Sequence, residues 1–277
     1  MLDIILDTLI DGLKLIPFLF VAFLIIELFE HKFSEHTKNT ISKSGKFGPL
    51  FGSVLGAFPQ CGFSVVATNL YVTRIVTLGT LISIYLSTSD EMIPVLLSGD
   101  VPLSVVLKMV LVKVVLGFVL GFIIDFIYRP KKKKEDFHIC ESEDCDCEDS
   151  IIKSTVIHTL KTILYILLVT FILNTMFEYI GEDNIKSLMV DNKILAPFIA
   201  SLIGLIPNCG ASVVISSLFV EEVISFGTVM AGLLTNAGIS LIVLFKSNKN
   251  IKENIAITAL IYSLGVLVGI LFNLFLW

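Results

Sequence analysis

The sequence predicts an all-α polytopic membrane protein built from two inverted-topology repeats, each with three spans and a broken helical hairpin, ten helical segments in all. Three observations predict it. First, the chain of 277 residues is 55% apolar, 16% charged and has a mean hydropathy of +0.90. Its polar residues gather in short stretches between long apolar blocks, which excludes a soluble domain. Second, sliding the sequence over itself by 148 residues gives 14 identities between residues 49 and 87, where composition alone would give about three or four. They include Pro49/Pro197, Ser53/Ser201, Gly56/Gly204, Gly79-Thr80/Gly227-Thr228 and Leu86/Leu234, and further on Gly117 and Gly121 align with Gly265 and Gly269. Third, each copy interrupts its apolar run with a polar, helix-breaking tip, Pro59-Gln60-Cys61-Gly62 and Pro207-Asn208-Cys209-Gly210. Such a tip is costly in lipid unless it lines a cavity or packs within protein. Interruptions at matching places in two halves point to a transporter's binding site.

The elements follow in order. Residues 2–14 alternate apolar and acidic positions at helical spacing and are expected along the interface, continuing into a first span at 15–29. Asp3, Asp7 and Asp11 follow Met1 where a cleavable signal would carry basic residues, so none is expected. After a basic connector (Lys32, Lys38, Lys43, Lys46) come two apolar pieces, 48–58 and 62–73. At 1.5 Å per residue each covers about 16–18 Å, too short for a hydrocarbon core of about 30 Å. Spans at 75–97 and 103–128 complete the first half, residues 1–128. Residues 129–150 form a linker, basic and then acidic. The second half, residues 151–277, repeats the series as 151–180, the broken pair 196–206 and 210–220, then 223–245 and 255–276.

Charge selects the topology. As hairpins that enter and leave on one side, the broken pairs put the connector at 31–46, Arg129 with Lys131–Lys134, and Lys246, Lys249 and Lys252 on one side. The acidic N-terminus, Asp100, Glu182, Asp183, Asp191 and Glu221-Glu222 then share the other. As continuous spans they would scatter the basic segments. The positive-inside rule favours the hairpins, inverted halves and both termini outside. The net charge of −5 carries little meaning, because most of it sits in one loop.

The candidate site is the meeting point of the tips. Gln60, Cys61, Gly62, Ser64 and Asn69 come from the first hairpin, and Asn208, Cys209, Gly210 and Ser212 from the second. A further polar interruption aligns across the halves: Thr88, Ser89, Asp90 and Glu91 against Thr235 and Asn236. Asp90 and Glu91 are consecutive acids deep in an apolar stretch, which marks a functional position. With Cys61 and Cys209 they form the candidate metal set: oxygen ligands suit manganese-like cations or protons, paired thiols softer metals. Plainer roles stand beside these. The glycines also serve close helix packing, the cysteines also serve as small core residues, and Lys113 either neutralises Asp90 or Glu91 or snorkels. The linker adds His138, Cys140, Cys145 and Cys147 among acidic residues, a candidate accessory metal site or a disordered acidic segment.

The duplicated units Pro59-Gln60-Cys61-Gly62-Phe63-Ser64 and Pro207-Asn208-Cys209-Gly210-Ala211-Ser212 resemble a prokaryotic family of ten-helix heavy-metal exporters, often labelled manganese transporters and distantly similar to organoarsenical efflux permeases. The resemblance spans nearly the whole chain. It implies a permease of the prokaryotic inner membrane that exports a metal or metalloid. The arsenical permeases carry a denser cysteine cluster at the first motif, whereas this chain has one cysteine per tip.

The expectation is therefore a secondary transporter exporting a divalent metal, coupled to protons through Asp90 or Glu91. The alternative is a permease for arsenite, an organoarsenical or another small organic anion. No Walker-type loop occurs, no cofactor is expected beyond the transported ion, and the four histidines (His31, His36, His138, His158) fall outside the tips, which argues against an enzyme. Lipid and the ion are the expected partners, nucleic acid is not, and the glycine faces allow a homo-oligomer.

Overall fold

The computed structural model describes residues 47–58, 61–89, 92–99, 101–128, 151–180 and 194–275, with isolated helical positions between Leu13 and Leu24. Among the described residues every regular element is a helix. In chain order these are α1 (Gly48–Gly56), α2 (Cys61–Val72), α3 (Leu78–Ser87), α4 (Met92–Ser98), α5 (Leu103–Ile127) and α6 (Ile151–Ile180). The second half continues with α7 (Ala196–Gly204), α8 (Cys209–Val220), α9 (Phe226–Thr235), α10 (Ser240–Ser247) and α11 (Ile251–Phe275).

The duplication read from identities is also a duplication of boundaries. Adding 148 to the first and last residues of α1, α2, α3 and α5 lands on the first and last residues of α7, α8, α9 and α11, and α4 differs from α10 by one residue at its end. The local chemistry repeats as well. Pro49 and Pro197 stand in the first turns of α1 and α7, where their missing N–H costs nothing. Thr77 caps α3 by accepting from the Thr80 amide, and Ser225 caps α9 by accepting from that of Thr228. The turns after α2 and α8 each carry one residue at positive φ, Arg74 (60°) and Glu222 (57°).

Packing within each half rests on glycine. A Cβ on Gly48 would meet Thr80 Oγ1, one on Gly52 would meet Ser83, and one on Gly56 would meet Ser87. α1 therefore lies against α3 and runs in the same direction, so α2 brings the chain back to where α1 began. α7 and α9 repeat this, with Gly204 against Gly232 and Thr235. α5 runs antiparallel to α3, backbone against backbone, with Gly79 on the Gly121 carbonyl and Gly117 on that of Ser83; Gly227/Gly269 and Gly265/Ala231 are the copies. Between halves, α2 packs on α10, α8 on α4, and α3 on α9.

Three stretches are long and apolar enough to cross a membrane: Leu103–Ile127, Phe226–Ser247 and Ile251–Phe275. The first and last turn large apolar side chains outward (Leu107, Leu111, Phe122, Leu267, Leu274), whereas the middle stretch is buried inside the protein over most of its length. The interrupted helices thus form the centre and the 25-residue helices the flanks. The spans expected at 75–97 and 223–245 each hold two helices, the first of each pair ending at Ser87 or Thr235 and the second starting at Met92 or Ser240. Helix α11 starts at Ile251, ahead of the expected 255.

Candidate functional site

Proline and asparagine shape the second tip. Pro207 ends the approach from α7, and Asn208 caps α8 in extended backbone (φ −145°, ψ 146°), its Oδ1 accepting the Gly210 amide at 3.2 Å. Asn208 is buried, and Ser212 is buried one turn further on. In the first copy Gly62, Ser64 and Asn69 are buried on α2, and Phe58 and Phe63 pack their rings 5.9 Å apart on either side of the tip. Among the described residues Asn69 Nδ2 finds no hydrogen-bond partner, although the residue is 1% exposed. Ser201 and Ser216 likewise keep unpaired hydroxyls. Buried polar atoms without partners are costly, and they gather where a polar ligand repays them.

The break between α3 and α4 is equally polar. Ser87, Thr88 and Ser89 are buried, and in the second half so are Thr235 and Asn236. The Thr88 hydroxyl donates to the Ile84 carbonyl (2.7 Å), and that of Thr235 to the carbonyls of Ser201 (3.0 Å) and Gly232 (2.9 Å). Asn236 accepts the Gly238 amide at 3.0 Å, which holds the chain through its positive-φ glycine (56°).

Three residues join the halves here that sequence reasoning did not assign to the site. Thr68 on α2 and Tyr85 on α3 share a hydrogen bond of 2.5 Å, and Tyr85 also bonds Ser240, the first residue of α10. The most consequential is Lys113 of α5. It is 1% exposed, so it does not snorkel to an interface. Its ammonium donates to the carbonyl of Thr88 in one half and, at 2.9 Å, to that of Leu233 in the other. A lone lysine within an apolar helix was the available signal; the backbone oxygens it meets carry none.

Gln60, Asp90, Glu91, the side chains of Cys61 and Cys209, and the linker residues His138, Cys140, Cys145 and Cys147 are outside the described residues, as are the connector and the acidic N-terminus. Among the described residues no three His, Cys, Asp or Glu side chains gather to hold a metal.

At one end of the halves, Arg74 clasps Glu253 with two hydrogen bonds (2.7 and 2.9 Å), and the Tyr71 hydroxyl donates to the same carboxylate. The hydrogen bond to Glu253 pushes the already high pKa of Arg74 higher still, so the pair stays charged throughout the usual pH range.

A family model described as "Putative, 10TM heavy-metal exporter" matches residues 1–183 and again residues 169–276. No curated protein matches the chain, and no solved structure does.

Proposed function

Because the chain belongs to this family of 10TM heavy-metal exporters, we propose that it is a secondary transporter exporting a divalent, manganese-like cation in exchange for protons. The membrane is the prokaryotic inner membrane and both termini face outside. In this reading the chain is a transporter and not an enzyme, and it works without a cofactor beyond the transported ion.

The observation that carries this reading is the pairing of two interrupted helices, α3–α4 and α9–α10, across the halves at a buried cluster of hydroxyls and freed carbonyls. Alternating access needs two equivalent units of opposite orientation, and the contacts support that orientation. Arg74, just before α3, bonds Glu253 at the start of α11, whereas Ser225, just before α9, bonds Asn273 at its end (2.7 Å). Twenty helical residues separate Glu253 from Asn273, about 30 Å at 1.5 Å per residue. The starts of α3 and α9 thus lie about 30 Å apart, at opposite faces. With α1 parallel to α3 and α7 parallel to α9, the α1–α2 and α7–α8 pairs act as re-entrant hairpins from opposite sides. Ten helical segments result when the hairpin arms are tallied with six spans, the two interrupted helices counting as one span each.

In this reading Gln60, Ser64, Asn69, Thr88, Ser89, Asn208, Ser212, Thr235 and Asn236 contact the ion or its remaining water. Gly62 and Gly210 let backbone approach it, Asp90 and Glu91 bind it and carry the exchanged protons, and Cys61 and Cys209 complete the set. Oxygen donors dominate, which suits a hard cation. His138, Cys140, Cys145 and Cys147 act as an accessory collector in the linker. The symmetric thiols favour one second reading, a permease for arsenite or an organoarsenical.

Flux into proteoliposomes separates the two. Manganese uptake with opposite proton movement, lost in Asp90→Asn or Glu91→Gln, is the expected result. Arsenite uptake lost only in Cys61→Ser or Cys209→Ser would establish the second reading, and no flux of manganese, zinc, cadmium or arsenite would sink both.

A further inference from the structure

We propose that Lys113 is a tethered cation: its ammonium fills an oxygen-lined cation site at the crossing of the two interrupted helices, and the exported metal ion must displace it. The inference deepens the exporter reading and rests on it.

The partners of the ammonium explain its position. Thr88 follows the last residue of α3 in extended backbone (φ −53°, ψ 127°), and its carbonyl points out of the ended helix. Leu233 lies in the last turn of α9, where its carbonyl would accept the amide of Ala237 if the helix continued. That amide turns instead to Thr235, at 2.9 Å. Neighbouring freed carbonyls are already served: Ile84 by the Thr88 amide and hydroxyl, Gly232 by the Thr235 hydroxyl. Lys113 takes one further carbonyl from each half. Both helix ends carry the negative pole of the backbone dipole, so the position favours positive charge. Half-helix C-terminal ends with unwound carbonyls are where transporters of this architecture coordinate cations.

The duplication shows that the fold itself does not require an ammonium there. The residue 148 positions after Lys113 is Ile261, fully buried in the corresponding place on α11. An apolar side chain therefore packs well at that position, and the lysine is a departure from the repeat. A charge retained in so buried a place serves a purpose other than packing.

The surroundings name the ligand class. Beside these carbonyls in the chain lie the buried hydroxyls of Ser87, Thr88, Ser89 and Thr235 and the amide of Asn236. All are oxygen ligands of the kind that bind hard cations. A divalent ion and an ammonium a few Å apart in this medium repel by several kcal/mol, by rough application of Coulomb's law. The two therefore occupy the site in turn, and the flexible four-carbon stem of lysine lets the ammonium leave.

Calorimetric titration of Mn²⁺ into the full-length protein in nanodiscs tests this, with wild type, Lys113→Met and Lys113→Gln compared. Removing the competing charge is expected to tighten Mn²⁺ binding about tenfold or more. Lys113→Gln keeps two N–H donors for the carbonyls, so it reports on charge even where the Met variant folds poorly. Manganese flux by wild type in proteoliposomes is measured alongside. Folded variants that bind no tighter than wild type would overturn the proposal while flux leaves the exporter reading standing. Tighter binding by the variants in the absence of any wild-type flux would sustain the cation site and overturn the exporter reading alone.

Discussion

An alanine methyl at Gly79 would lie 2.1 Å from the Gly121 carbonyl oxygen, and backbone cannot give way as a side-chain end can. The same methyl at Gly210 would meet only the Asn208 side chain, at 3.5 Å or more. The two glycines therefore do different work, although each is matched in the repeat. Gly79→Ala is expected to destabilise the protein by about 1–3 kcal/mol through overpacking. Gly210→Ala is expected to fold as well as wild type, since alanine favours a helix by about 1 kcal/mol over glycine. Thermal melts in detergent decide between them: equal loss at both positions would refute this assignment. A folded Gly210→Ala protein without transport would then mark Gly210 as a residue needed for backbone approach to the ion. In sequence the two glycines look alike, because a repeat marks positions that matter without saying whether packing or chemistry requires them. Lys113 shows the converse, since it is absent from the repeat and yet bridges its two copies.

Helix starts are the elements where the two halves use different chemistry for one task. Asp125 near the end of α5 accepts the Gly79 amide (2.8 Å) and the Thr77 hydroxyl (2.6 Å), completing the cap of α3 from a neighbouring helix. In the second half Asn273 takes that place, accepting from the Ser225 hydroxyl at 2.7 Å. A neutral amide thus suffices, which separates Asp125 from Asp90 and Glu91, the carboxylates proposed to bind the ion. Asp125→Asn is expected to keep both fold and transport, whereas Asp125→Leu leaves the Gly79 amide without its acceptor and costs about 1–3 kcal/mol. Melts and flux on the two variants check this; loss of flux in a stable Asp125→Asn protein would place Asp125 in the transport chemistry. At this scale the sequence was largely legible. Pro49, Pro197 and the Pro-x-Cys-Gly tips located the short helices, and the 148-residue repeat aligned them. The breaks after Ser87 and Thr235 were visible as polar interruptions, but whether a span bends through such a stretch or stops depends on where freed carbonyls find partners. Those partners, Lys113 above all, lie more than a hundred residues from Leu233 and more than twenty from Thr88.

The whole molecule turns on which face each loop occupies, and one ion pair speaks to it. Arg74 follows the first hairpin and Glu253 opens the last helix, and their bidentate contact requires both at one end of the molecule. Continuous spans in place of the hairpins would put them on opposite sides of the membrane. Hairpins put both with the basic segments, the arrangement that the distribution of lysines and arginines had already favoured. Charge bias and this contact both support the proposed hairpins. Labelling by a membrane-impermeant maleimide tests the result in a background with the five native cysteines replaced by serine. Arg74, Lys249 and Glu222 are exposed, so cysteines at these positions are open to reagent. The Arg74 and Glu253 side chains are 46% and 21% exposed, and breaking so exposed a pair costs about 0.2–1 kcal/mol, which leaves the fold intact for the assay. Arg74→Cys and Lys249→Cys are expected to label in inside-out vesicles and Glu222→Cys in intact cells. Arg74→Cys and Lys249→Cys reacting from opposite sides would rule out the hairpins, and with them the inverted halves on which alternating access depends.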